Sequence, residues 1–421
     1  MVFRRLFPSM LALAAALLPA CSDDGPDAPQ PEGVPARRTV LVYMAAQNSL
    51  GSRGYMDADL QELLDGRGAI ADADRLLVFV DDAAPRLLRY TRQEGEPRVV
   101  RTWPADVNST SPAVLRDVLE WTRTHYPADE YGLVMWSHAD GWIPPTRRAQ
   151  AMAPRPFSFG IDTGDNAPGS DEGTQMDVAD MAGAIAAAGI HLDYLFFDAC
   201  LMQNVEVAWQ LRDVADYIIG APIATPAAGS NYTHQLQSGL FSADPADIAA
   251  TYYADVTDPA QTADYGSFGI VISAVRTDRL PALAEAVRAA LPGSAMAGRQ
   301  SADMDGVLNY QAYTSVYFYR PHNYDMLQAA GRVLPEAARQ AVTDALDEAI
   351  VYKAATPRFY IGPGSFSAQQ TVDLDRYCGM SCFVPQDVYT QRAAATPLGD
   401  LNEAFRRTAW YEAAGWAATG W

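Results

Sequence analysis

At 421 residues, 49% apolar and 19% charged, the chain can bury one large or two ordinary cores and is not generally disordered. Its formal charge is −20, and its basic residues gather in nothing longer than short pairs such as Arg147-Arg148. That argues against nucleic acid as a partner, because phosphate contacts need a basic face.

The first 21 residues read as a segment to be removed rather than folded. Met1-Val-Phe-Arg4-Arg5 is a basic start, and Leu6 to Ala20 is an apolar run too short for a comfortable membrane span. Its end, Leu18-Pro19-Ala20-Cys21, resembles the lipobox of bacterial lipoproteins. The resemblance implies cleavage before Cys21 and a lipid on its sulfur. Residues 22–38, rich in Pro, Asp and Gly, read as a flexible tether. Within them, Ser22-Asp23-Asp24 resembles the acidic surface-export signal of some Gram-negative lipoproteins. No later segment is long and apolar enough to cross a bilayer. The implied location is the bacterial cell envelope, lipid-anchored at the outer membrane, on its periplasmic or its outer face.

Beyond the tether, Thr39–Ala45 is predicted as a strand, Met56–Leu64 as a helix and Arg75–Asp81 as a second strand. Leu87–Thr91 and Pro97–Thr102 can pair as a hairpin around Glu94-Gly95. Ser111 followed by Pro112 marks a helix start, with the helix running to about Thr124. A strand over Tyr131–His138 leads into the long loop Ile143–Gln175, and loops of that length are functional or disordered. A helix near Asp177–Ala188, a strand over Leu192–Cys200 and a helix from about Leu201 follow, then strands at Tyr217–Pro222 and Phe268–Ser273. Strands alternating with helices predict an α/β fold, a mostly parallel sheet of about six strands covered on both faces. The remainder reads as helical up to Tyr352, then irregular with a strand near 380. The expected division is a sheet domain over 39–300 and a C-terminal part, 301–421, packed on it.

Without Cys21, three of the chain's 4 cysteines remain: Cys200, Cys378 and Cys382. Cys378 and Cys382, if extended, lie about 13 Å apart, beyond disulfide reach. Either Gly379 turns the chain between them or both are buried apolar thiols, and burial is the favoured reading. Neither has the neighbours of a tetrahedral metal site.

The chemistry concentrates where two predicted strands run out. Tyr131–His138 ends in an imidazole and Leu192–Cys200 in a thiol, and ligands of open α/β sheets bind beyond the carboxyl ends of the strands. The pair makes a candidate nucleophile and acid–base partner. A helix starting near Leu201 would place its positive end at Cys200 and favour thiolate. The amides of His138-Ala139-Asp140-Gly141 are candidates for binding an oxyanion. Taken singly, a strand-end thiol and a lone histidine also fit a packed core. The other histidines, His125, His191, His234 and His322, carry no metal-site spacing and read as structural or surface residues.

Three ordered motifs decide between these readings. Thr39-Val-Leu-Val-Tyr-Met-Ala-Ala-Gln-Asn-Ser-Leu50 resembles the opening strand of the clostripain-like cysteine peptidases (family C11). Trp136-Ser-His138-Ala-Asp-Gly-Trp142 is similar to their W-x-H-G-x-G-W motif, and Phe197-Asp-Ala-Cys-Leu-Met202 to their nucleophile motif. The resemblance implies a caspase-like three-layer α/β/α sandwich, with His138 and Cys200 as a catalytic dyad. It places Asp198 by the pocket for the residue before the scissile bond, and implies cleavage after Arg or Lys. It also implies activation by self-cleavage in a loop, for which Arg147 and Arg148 are the candidate processing points. No cofactor is called for; calcium enters only by family analogy, and no EF-hand loop is present. The expected partner is a peptide or protein substrate.

Two departures bear on the site. Ala139 stands where the family has Gly, which leaves the backbone N–H in place provided the turn does not need φ > 0. Ala228, in Thr225-Pro-Ala-Ala-Gly-Ser230, stands where the family has an acid that grips a basic side chain. Its loss weakens the basic preference. The competing readings are an inactive surface lipoprotein that keeps the fold and binds peptide or glycan, and a carboxylate-based glycosidase.

Overall fold

The computed structural model describes residues 35–143, 158–164, 171–261, 265–266, 268–311, 322–360, 369–396 and 398–421. Cys21, Arg147 and Arg148 lie outside the described residues. The apolar run Ala36–Ala45 forms β1, buried at every position but Arg37. Strands covered on both faces read as such continuous runs rather than as alternation. With it in the main sheet are β2 (Asp74–Asp81), β3 (Arg86–Tyr90), β4 (Arg98–Thr102), β5 (Ala128–Trp136), β6 (Leu192–Asp198), β7 (Ala215–Gly220), β8 (Val271–Arg276) and β9 (Ile350–Ala355). The order across the sheet is β9-β8-β7-β6-β5-β1-β2-β3-β4. The run β7-β6-β5-β1-β2 is parallel, and both flanks are antiparallel.

Alternate side chains of each strand feed two cores. Leu41, Tyr43, Leu133, Met135, Leu195 and Phe197 face helices α2 (Pro112–His125), α3 (Val178–Ala187), α4 (Val205–Leu211) and α6 (Leu280–Ala290). Val40, Val42, Met44, Val134, Trp136 and Phe196 face α1 (Tyr55–Gly66) and α5 (Ala246–Thr257). The result is the three-layer α/β/α sandwich expected, with nine strands rather than about six. The hairpin joins one edge of the sheet, and β9 extends the other. The pattern predicts helix through Ile350–Tyr352. Instead, after α7 (Met326–Val333), α8 (Glu336–Ala349) stops at Ala349, and the β-branched Ile350 and Val351 begin an edge strand paired with β8. Helical and alternating patterns overlap there, and pairing with β8 resolves them.

The residues after 300 share the first core: Val342 and Leu346 of α8, Phe383, Phe405, Trp410 and Trp421 all belong to it. Cys378 and Cys382 are buried free thiols in the same core. Gly379 between them adopts φ +77°, so the chain turns as well as burying both sulfurs. No helix among the described residues is long and apolar enough to cross a membrane.

Candidate active site

After β1 the chain moves to β2 on one side and later returns as β5 on the other, so the connections diverge between β1 and β5. That divergence opens the crevice in which doubly wound sheets hold ligands. Met44 pairs with Trp136, and Trp136 with Asp198. His138 and Cys200 therefore each stand two residues beyond a paired position on adjacent parallel strands, whose axes lie ~4.8 Å apart.

The loops that carry them are packed together. Gly141 adopts φ +79°, and a Cβ there would sit 2.9 Å from the Leu201 carbonyl and 2.8 Å from Asn204 Oδ1. Only glycine meets both demands. Gly141→Ala is expected to push the two loops apart and lower peptide hydrolysis on the order of 10²-fold with the fold retained. Kinetics beside a thermal melt check it, and full activity would show that the contact is slack.

Residues after 300 brace both loops. Gln311 Nε2 donates to Asp140 Oδ1 at 2.7 Å, and Asn323 Nδ2 donates to Gln311 Oε1 at 2.7 Å. Asn204 Nδ2 donates to the Leu201 carbonyl at 2.8 Å and to Ser381 Oγ at 2.9 Å. Trp142 packs edge-on against Phe383 and Phe405, with ring centroids 5.2 and 5.9 Å away.

One expectation at Cys200 needs correcting. Strand β6 ends at Asp198, Leu201 adopts φ +62°, and α4 begins only at Val205. The thiol thus sits in a turn ahead of the helix rather than on its first residue, and the helix end does not reach it: end effects fall off within one turn. Its neighbours are Thr225 Oγ1 at 3.5 Å and the Thr225 amide, which donates to the sulfur at 3.3 Å. Burial pushes the thiol above its ordinary pKa; Thr225 opposes this, and the charges of Asp140 and Asp198 add to it. The resting group is therefore the thiol, which needs a base to become a nucleophile.

The imidazole of His138 stands on the loop after β5. Its Nε2 lies 3.0 Å from Ser49 Oγ and 3.4 Å from Asp171 Oδ1. Asp171 Oδ1 also accepts the Ser49 amide at 3.1 Å. Ser49 and Asp171 were not among the sequence candidates. Ser49 follows β1 at the point of divergence, a signal legible only once β1 and β5 are known to be neighbours. Asp171 lies in an irregular segment with no periodicity to mark it. Three of the other histidines are engaged elsewhere: His125 stacks on Trp121, His191 meets Asp216 at 2.8 Å and His234 meets Asp255 at 2.5 Å.

Ala139 is not among the residues with positive φ, so the turn tolerates alanine where glycine was expected. The amide of Asp140 is committed to the Ser158 carbonyl at 3.0 Å, whereas no backbone bond from the amide of Ala139 is formed among the described residues. The Asp140 donor is thus spent, and Ala139 remains a candidate for the oxyanion.

Asp198 is buried behind this pair. Its Oδ2 accepts the Ser230 amide at 3.1 Å and the Tyr232 hydroxyl at 2.9 Å, while its Oδ1 is buried with no hydrogen-bond partner. Burial raises its pKa to about 6 against those two bonds. A second carboxyl, Asp59 of α1, was missed by the sequence reading because it sits among charged surface positions of an amphipathic helix. It accepts Trp136 Nε1 at 2.6 Å and is 2% exposed. Burial first, and then the charge of Asp198, hold its pKa well above the carboxylate range. Ala228, where an acid was looked for, is half-buried against the core on that side. Among the described residues, no group of three or more His, Cys, Asp or Glu side chains is placed to hold a metal ion.

Comparison with known proteins identifies the family and the fold. The clostripain family model (Peptidase_C11) matches residues 42–418. The structure of a secreted C11 cysteine protease from Bacteroides thetaiotaomicron, in complex with an irreversible peptide inhibitor, is 29% identical. It superposes with a TM-score of 0.73 over 91% of this chain and 100% of that one. An inactive zymogen C11 protease from Parabacteroides distasonis is 28% identical, with a TM-score of 0.71 over 90% of this chain and 99% of that one. Clostripain of Hathewaya histolytica is 26% identical over 195 residues, 41% of this chain and 36% of that protein. The matched part of the chain spans about a third of that curated relative's length.

Proposed function

Because this chain belongs to the clostripain family of cysteine proteases, we propose that it hydrolyses internal peptide bonds through Cys200 and His138. The observation that carries the reading is the placement of the two residues, each two positions past the register pair Trp136–Asp198 on neighbouring parallel strands. His138 takes the thiol proton as Cys200 Sγ bonds to the scissile carbonyl carbon, and the displaced electron pair collects on the carbonyl oxygen. The Ala139 amide donates to that oxyanion. As the carbon–nitrogen bond breaks, His138 returns the proton to the leaving amine. Water then attacks the acyl-enzyme, His138 takes its proton, and as the carbon–sulfur bond breaks His138 returns that proton to the sulfur, freeing the thiol.

Substrate choice follows from Asp198. Its buried, unpartnered Oδ1 suits the cation of an Arg or Lys side chain before the scissile bond, and Asp59 stands behind it as a second acid. Ala228 removes one carboxylate from such a pocket, at a cost of about 1.5–3 kcal/mol for a charge-assisted contact. The preference is therefore basic but weakened. The same preference makes Arg147 and Arg148 the points for self-processing. The chain is exported and held at the cell envelope through a lipid on Cys21, with residues 22–38 as the tether. Residues 39–300 carry the reacting groups, and 301–421 brace their loops.

A positional peptide library tests the substrate reading. The full-length protein is expected to cleave after Arg and Lys, and Asp198→Asn to lower that preference about tenfold while leaving neutral sites unaffected. Equal cleavage after neutral and basic residues would remove the cation from the pocket. Failure to cleave any peptide, before or after the Arg147 loop is cut, would favour the inactive, peptide-binding lipoprotein.

A further inference from the structure

His138 is held at one edge by two other chain segments. Ser49 opens the short helix Ser49–Ser52 just beyond β1, with Asn48 at its N-cap. Asp171 lies shortly before the strand Thr174–Met176, which pairs with Phe159–Asp162 just downstream of His138 in space: the Gly160 amide donates to the His138 carbonyl at 2.8 Å. Segments from three places in the sequence thus converge on one ring nitrogen. Ser49 Oγ is 3.0 Å from Nε2, and Asp171 Oδ1 is 3.4 Å from it.

We propose that Asp171, linked through Ser49, is a positioning residue for His138. It fixes the ring and its tautomer so that Nδ1, bearing a lone pair, is the nitrogen presented to Cys200. The inference rests on the reading of Cys200 and His138 as the reacting pair, and it adds a third member to that pair. The argument is one of donors and acceptors. Asp171 is ionised and can only accept. Burial would raise its carboxyl, but the bond and charge of His138 and the hydroxyl and amide of Ser49 outweigh burial and hold it below the usual range. If the Ser49 hydroxyl spends its proton on Asp171, its oxygen is left to accept from the imidazole. The imidazole proton then sits on Nε2, and Nδ1 is free to take the thiol proton. When it does, the imidazolium formed has a carboxylate 3.4 Å away. A general base oriented by a third group is the recurring arrangement of nucleophilic catalysis.

The test uses full-length protein carrying Asp171→Ala, Asp171→Asn and Asp171→Glu. It measures kcat and KM on a peptide that the parent cleaves, and the second-order rate of alkylation of Cys200 by iodoacetamide. Asp171→Ala and Asp171→Asn are expected to lower kcat on the order of 10²-fold with KM within about twofold. Alkylation of Cys200 is expected to slow as well, and Asp171→Glu to recover part of kcat. An unchanged kcat overturns the proposal. So does a change confined to KM, which would make Asp171 a substrate contact, or a rise in kcat, which would make the contact a restraint on His138. If the parent cleaves no peptide, the reading of the pair fails by itself. The alkylation rates then still decide: an equal rate in parent and Asp171→Ala overturns the positioning role.

Discussion

Cys200→Ala is expected to abolish peptide hydrolysis, by ~10⁴-fold or more, while leaving the melting temperature close to that of the parent. The size follows from covalent catalysis: without the sulfur no acyl-enzyme forms, and the Ala139 amide and the Asp198 pocket can only bind substrate. The small effect on stability follows from the environment. Cys200 sits in a turn at the mouth of the crevice, only partly buried, and among the described residues its polar contacts are to Thr225. Peptide cleavage and thermal melts on the same preparation check both halves. Residual cleavage within tenfold of the parent would assign the nucleophile elsewhere, and hydrolysis of a glycan unaffected by the change would favour a carboxylate mechanism.

A large pH effect on stability is expected, in a direction opposite to common acid denaturation. Burial raises several carboxyls in the folded chain, among them Asp198 to about 6, Glu206 to about 7, and Asp81, with help from the charge of Asp162, to about 7. A group whose folded pKa is raised stabilises fully below its unfolded value near 4 and loses that contribution as pH rises through the folded value. Between about pH 4 and 7 the folded state therefore binds more protons than the unfolded one, and stability falls as pH rises. Asp171, whose carboxyl is held low, works in the opposite sense, but only below the ordinary carboxylate range. The melting temperature is expected to be several degrees higher at pH 5 than at pH 8. For Asp198 the move from 3.8 to about 6 corresponds to ~3 kcal/mol of stability forgone at pH 8. Asp198→Asn should accordingly melt higher than the parent at pH 8, gain little at pH 5, and lose the preference for basic residues. A parent that melts higher at pH 8 would contradict the buried, raised carboxyls, and an Asp198→Asn variant destabilised at both pH values would make Asp198 a structural acceptor.

Much of this was legible in the chain itself. The strands β1, β2, β5, β6 and β7 announce themselves as apolar runs because both their faces are covered, and α2 by Ser111-Pro112 at its start, although the Ser111 side chain makes no capping bond. His138 and Cys200 stand at the ends of two such runs, where a reactive side chain has no packing reason to be. Their motifs, read with Asp198 and Ala139, pointed to the family and to a candidate site.

What the chain could not say by itself depended on which strands are neighbours. Local pattern sets whether a segment is strand or helix, since alternation and 3.6-residue periodicity are properties of a few consecutive residues. It does not set the order of strands across a sheet, which comes from long-range packing. Only that order brings Ser49 and Asp171 to His138 and places Asp59 behind Asp198. The same holds for the turn at Leu201, whose left-handed φ accompanies close approach to Gly141, and for β9, whose pairing with β8 overrides an ambiguous pattern. The sequence by itself determined the layers and the family, and it nominated the two candidate reactive groups. The tertiary structure decided which acids and hydroxyls surround them, because those contacts join residues far apart in the chain, 89 positions for Ser49 and His138, and are fixed by packing and burial rather than by any local signal.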